Sequence, residues 1–136
     1  MGSESIASRR RRSGDRCLLP ISRLADCVTE TEADLERLNL QSPIVGHVGD
    51  GNFHCSLVCD VDDPDEMARG EDFMHRLVQR AQAMGGTCTG EHGIGQGKQK
   101  YLEPELGSQA IDAMRAVKQA FDPQNIFNPG KILPAV

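Results

Sequence analysis

Two short stretches concentrate the residues that could do chemistry. "GHVGDGNFH" (46–54) sets His47 and His54 seven residues apart around a flexible turn, in a chain with four histidines. "TGEHGIGQGK" (89–98) adds Glu91 and His92, adjacent and bracketed by Gly90 and Gly93. Asp-Gly at 50–51 is a strong two-residue hairpin signal, because a type I′ turn needs positive φ at both central residues. Centred there, the turn pairs Gly49 with Asn52, Val48 with Phe53 and His47 with His54. Directly paired residues bring Cβ atoms to about 4.5–5.5 Å, and two imidazoles at that spacing can close on one divalent metal. The spacing alone suits two surface histidines in an ordinary loop equally well. Strand alternation sends Phe53, Cys55 and Leu57 to the core side and Asn52, His54 and Ser56 to the site side.

Neighbours on an extended chain point to opposite sides. One of Glu91 and His92 is therefore expected to join the histidine pair, and the other to stand beside it as a general base. Two imidazoles and one carboxylate leave coordination positions open for a substrate. The plain alternative is a solvated loop whose glycines serve turn chemistry. A phosphate cradle from Gly93, Gly95, Gly97 and Lys98 fails on spacing, since Gln99 follows Lys98 where a P-loop needs Ser or Thr. His75 lies amid charged neighbours in a helical stretch and reads as a surface or packing residue.

The elements that must position these residues follow from periodicity. Ser22 to Leu38 reads as a helix capped by Ser22, with Leu24, Val28, Leu35 and Leu38 near helical spacing. "SPIVGHV" and "NFHCSLVCDV" read as the two hairpin strands. In the next stretch Asp63 caps, Pro64 takes the first helical position and Gly85-Gly86 stops the helix. Its buried stripe is Met67, Phe73, Met74, Leu77, Val78 and Ala81. "GTCTGEHGIGQGK" begins as a short strand and becomes a loop. "EPELGSQAIDAMRAVKQAFD" reads as one amphipathic helix with Ile111, Met114, Val117 and Phe121 on one face. The fold class is α+β, a small antiparallel sheet with helices packed on one face.

The totals narrow the function. With aromatic residues at 4% and no Trp, the core must be aliphatic. Mean hydropathy is −0.42, and no long apolar run signals a transmembrane segment. Net charge is −5, and Arg9, Arg10, Arg11, Arg12 and Arg16 all fall at the start. The rest is thus more acidic than the whole, which argues against nucleic acid as a partner. Residues 1–15 read as a disordered basic tail, too interrupted by Glu4 and Asp15 for a clear transit peptide. Five cysteines without a CxxC pair or a secretory signal point to reduced thiols in an intracellular setting.

"PIVGHVGDGNFH", "GTCTGEHGIGQGKQKYL" and "FDPQNIFNPGKIL", in that order, resemble the C-terminal part of FAD-linked 2-hydroxyacid dehydrogenases and oxidases. That group includes D-lactate dehydrogenase, to which the likeness is nearest, together with glycolate oxidase and D-2-hydroxyglutarate dehydrogenase, on the vanillyl-alcohol-oxidase-type scaffold. The resemblance covers residues 16–136 and implies a ferredoxin-like cap fragment without the N-terminal FAD-binding domain. It implies that His47, His54 and Glu91 bind a divalent metal (Zn, Mn or Fe). His92 would be the base that takes the substrate hydroxyl proton as hydride leaves for FAD. Asn52, Lys98, Asn128 and Lys131 match polar positions near substrate or flavin. The implied substrate is a small 2-hydroxy acid, the electron acceptor is left open, and the setting is bacterial cytoplasm or mitochondria. An inactive remnant, or a module docking on a separate FAD-bearing chain, is the alternative expectation.

Overall fold

The computed structural model describes residues 10–133. Strand β1 (Arg10–Leu18) leads into helix α1 (Ile21–Arg37), and strands β2 (Ile44–His47) and β3 (Asn52–Asp60) form the hairpin. Helix α2 (Pro64–Ala83) follows, then α3 (Gln99–Leu106) and α4 (Ser108–Phe121). The sheet is antiparallel in the order β1-β3-β2, and Thr87 adds one antiparallel bridge to Leu18. This is the ferredoxin-like β-α-β-β-α-β arrangement, with its last strand reduced to a single residue pair.

The core lies between one sheet face and the helices. Phe53, Cys55, Leu57 and Cys59 on β3 pack with Phe73, Leu77 and Ala81 on α2 and with Leu24, Cys27 and Leu35 on α1. These positions fall at period two on the strand and at three or four on the helices, as an aliphatic core requires. Gly70 is buried where α2 crosses β3; a Cβ there would sit 3.0 Å from the Cys59 sulfur. All five cysteines are buried thiols outside any disulfide. Burial pushes the Cys27 and Cys59 thiols up, and Cys88 up to about 12, so they behave as small apolar residues.

Several expected elements are corrected. Residues 10–15, read as part of a disordered tail, belong to β1, which pairs with β3 from Arg10↔Asp60 to Leu18↔Asn52. A backbone ladder needs no apolar alternation, so a strand of Arg, Ser, Gly and Asp leaves no hydrophobic signal. Residues 1–9 lie outside the described part. Helix α1 starts one residue early, with Pro20 at its N-cap and no side-chain cap; Ser22 falls within the first turn. Asp63 does cap α2, accepting from the Asp65 and Glu66 amides at 2.9 and 3.1 Å. The expected single C-terminal helix is two helices, because Gly107 at φ 81° and ψ 157° breaks it in a region open essentially to glycine. Of its expected apolar face only Ile111 is buried.

α1 and α2 are pinned by Asp34, whose side chain is 6% exposed. It accepts from Arg76 Nε at 3.0 and 3.1 Å, from Arg37 Nη2 at 3.1 Å and from Arg80 Nη2. Burial alone would raise its pKa, but the three guanidinium groups outweigh that and hold it below the usual carboxylate range. A carboxylate depressed in the folded state contributes stability that is present above its unfolded pKa of about 3.9. That stability is lost as pH falls through the lower folded value. Thermal melts should therefore drop steeply below about pH 4. An Asp34→Asn variant should melt lower at neutral pH and with a shallower acid slope; an unchanged slope would show that Asp34 is not the group responsible.

Candidate active site

The hairpin turn is longer than expected. Val48–Asp50 forms a turn of 3₁₀ helix, and Gly51 closes it at φ 68° and ψ 22°. The closing pair is His47↔Asn52, followed by Gly46↔Phe53 and Val45↔His54. His47 is thus not opposite His54, and the register has slipped by two residues. Only Gly51 takes positive φ here, whereas a type I′ turn would need Asp50 to take it as well. Gly51 is also tied to β1's end, its carbonyl accepting from the Leu19 amide at 2.9 Å. A slip of two preserves the face. The two imidazoles remain neighbours on one side of the sheet, their ring centroids 6.1 Å apart and nearly perpendicular. Gly46 permits the close strand approach, since a Cβ there would lie 2.3 Å from the Asn52 carbonyl oxygen.

Asn52, opposite His47, is 5% exposed. Its Nδ2 donates to Glu91 Oε2 at 3.2 Å, which brings the second motif onto the hairpin. Its Oδ1 is buried with no hydrogen-bond partner, an acceptor left open beside the histidines. Glu91 and His92 are exposed, on a segment turned by the His92 amide donating to the Thr89 carbonyl at 3.0 Å. Among the described residues no group of three His, Cys, Asp or Glu side chains is gathered closely enough to hold a metal ion. His47 and His54 stand together, and Glu91 is connected to them through Asn52. Two imidazoles, a carboxylate and an open amide oxygen are donor types that divalent cations take, but here they are not gathered into one set.

The remaining expected residues occupy the loop and the tail. The Lys98 amine donates to the Cys88 carbonyl, supporting the loop's backbone. Asn128, at φ 47°, and Lys131 form a turn. That turn is tied to the glycine loop by the Ile132 amide on the Gly95 carbonyl at 2.7 Å and by Gln99 Nε2 on the Gly130 carbonyl at 2.8 Å. Asp122, which carried no sequence signal, shapes the tail by accepting from the Ile126 and Phe127 amides at 2.8 and 2.9 Å. His75 packs against Tyr101, its Nδ1 3.0 Å from the phenol oxygen, as expected for a structural histidine.

An apolar surface flanks this tail. Val117, Phe121, Ile126 and Phe127 are each more than half exposed, Phe121 at 83%. A cavity of about 560 Å³ lies between α4 and the tail, lined by Met114, Val117, Phe127, Ile132 and Leu133 among others. No helix among the described residues is long and apolar enough to cross a membrane.

The fold is similar to that of 4-ethylphenol oxidase from Gulosibacter chungangensis, solved as an isoeugenol complex, with a TM-score of 0.64 at 16% identity, over 96% of this chain and 26% of that one. Residues 15–132 match the C-terminal domain of FAD linked oxidases, and the chain belongs to that family. It is 54% identical to a probable mitochondrial D-lactate dehydrogenase of Danio rerio, over 89% of this chain and 24% of that protein. It is 42% identical to a mitochondrial D-lactate dehydrogenase [cytochrome] of Arabidopsis thaliana, over 88% and 21%. Identity to glycolate oxidase subunit GlcD of Bacillus subtilis is also 42%, over 84% and 24%. The chain therefore spans about a quarter of the length of these relatives.

Proposed function

We propose that the chain supplies the substrate- and metal-binding part of a flavin-dependent D-2-hydroxyacid dehydrogenase acting on D-lactate or a close analogue. The observation that carries this reading is the hydrogen bond from Asn52 to Glu91, which links the histidine pair to the Glu91–His92 loop. His47, His54 and Glu91 would hold a divalent cation (Zn, Mn or Fe), with Asn52 Oδ1 facing the same space. When bound, the cation would polarise the substrate hydroxyl and the flavin would accept the hydride. His92 would take the hydroxyl proton as the C2–H bond breaks with its electron pair, so that the hydroxy acid loses two electrons and two hydrogens and becomes a 2-oxo acid. Lys98, Asn128 and Lys131 would lie towards substrate or flavin, with the tail folded back on the glycine loop in support. The relatives' mitochondrial names suggest the same compartment for a eukaryotic source.

The exposed apolar face of α4 and the tail favours a chain that works docked on a flavin-bearing portion, whether in a longer polypeptide or in a separate subunit. FAD needs a large concave site, and the chain alone should purify colourless; stoichiometric flavin after gel filtration would overturn this division. Combined with a flavin-bearing portion from a relative and with divalent metal, it should oxidise D-lactate and leave L-lactate untouched. An assembled, flavin-loaded and metal-loaded protein that oxidises no 2-hydroxy acid would leave the inactive-remnant reading standing instead.

A further inference from the structure

Glu91 and His92 sit on a segment with almost no regular structure. Residues 87–92 make one bridge to the sheet, at Leu18↔Thr87. The Cys88 peptide group, three residues before Glu91, is instead held from both sides by residues at the two ends of α3. Glu105 Oε2 accepts from the Cys88 amide at 2.8 Å, and the Lys98 amine donates to the Cys88 carbonyl. The same Glu105 oxygen accepts from Gln82 Nε2 at 3.0 Å. Gln82 Nε2 also donates to the Tyr101 carbonyl at 2.8 Å, so one carboxylate joins α2, α3 and the loop. Burial opposes its charge, but hydrogen bonds from the Cys88 amide, Thr87, Gln82 and the Cys88 thiol outweigh that and hold Glu105 below the usual carboxylate range. The clamp is anchored in a small core in which Val78, Cys88 and Tyr101 are buried and Ile94 packs against them. From Cys88 onward the chain is short and braced: the Thr87 and Thr89 hydroxyls are 3.1 Å apart, and the His92 amide returns to the Thr89 carbonyl.

We infer that Glu105 is a positioning residue, setting the placement of Glu91 and His92 by clamping the Cys88 peptide. The role in turnover rests on the function proposed above; the clamp itself does not. The bonds from the Cys88 amide and from Gln82 end on a single carboxylate oxygen, which the amide oxygen of glutamine can replace. Glutamine should therefore rescue where alanine fails.

Hydrogen exchange on the full chain tests the clamp. Glu105→Ala should speed exchange at Cys88 and over residues 89–92 roughly 10- to 100-fold, the size expected for losing a hydrogen bond to a charged group, while α1, β3 and α2 stay unchanged. Glu105→Gln should stay within about threefold of the parent. In the flavin-bearing assembly with D-lactate, Glu105→Ala should lower kcat roughly 10- to 100-fold with a smaller change in KM, and Glu105→Gln should recover most of it. Unchanged exchange at residues 88–92, or a uniform rise across the chain, would overturn the inference. So would locally faster exchange with kcat intact. If the parent oxidises no hydroxy acid, the proposed function fails, and the exchange arm still decides whether Glu105 holds the loop.

Discussion

Gly51→Val should destabilise the hairpin severely. Gly51 sits at φ 68°, where an L-residue costs roughly 1–2 kcal/mol and a β-branched one more. A Cβ there would also lie 2.0 Å from the Leu19 carbonyl oxygen, a backbone atom with little room to move. Relief would require breaking the Leu19–Gly51 hydrogen bond that seats the turn on the end of β1. We expect a loss of about 3 kcal/mol or more, a large share of the stability of a domain this size. Denaturant midpoints on purified protein, or recovery in the soluble fraction, would report it. Gly49→Ala is the matched control, because a Cβ there meets nothing within 4 Å; it should stay within about 0.5 kcal/mol. Equal change in the two variants would mean that the Leu19 contact and the positive φ do not set the cost, and that the steric argument is wrong.

That turn also shows what the sequence could and could not specify. The period-two pattern of β3 was readable: Phe53, Cys55, Leu57 and Cys59 are buried, and His54 and Ser56 are partly open between them. The face His54 takes is therefore readable before the register is known, whereas that of His47 depends on its pairing with β3. The register itself was misjudged by two residues, because Asp-Gly serves a longer turn seated on Leu19, a contact far from it in the chain. β1 was missed for the opposite reason. Its polar side chains give no periodic signal, and its place comes from hydrogen bonding to β3. α1 and α2 were legible from apolar spacing, and the Asp63–Pro64 start of α2 from cap chemistry. The expected face of α4 is buried only at Ile111, because among the described residues Val117 and Phe121 stay exposed and Met114 is half-covered. Glu105 organises the loop through a hydrogen bond from an amide 17 residues earlier in the chain, which no short motif announces, and Asp122 shapes the tail through the amides of Ile126 and Phe127.

Exchanging Glu91 and His92 for alanine one at a time should separate holding a metal from moving a proton. Glu91 accepts a hydrogen bond from Asn52, which pairs with His47 on β2. A carboxylate adds the negative charge that a hard or borderline divalent cation favours, and with two imidazoles it leaves positions open for a hydroxy acid. His92 follows directly, its amide closing a turn on the Thr89 carbonyl. The chemistry also needs a group that is neutral and basic near pH 7, and imidazole is the side chain best suited to that. In the flavin-bearing assembly, Glu91→Ala should lose metal and activity together, read by elemental analysis and by D-lactate turnover. His92→Ala should keep metal and substrate binding but lose turnover roughly 10²–10⁴-fold, the usual range for a general base. If His92→Ala strips the metal while Glu91→Ala retains it, the two roles are reversed, and the hydrogen bond from Asn52 would be steadying the base rather than a ligand.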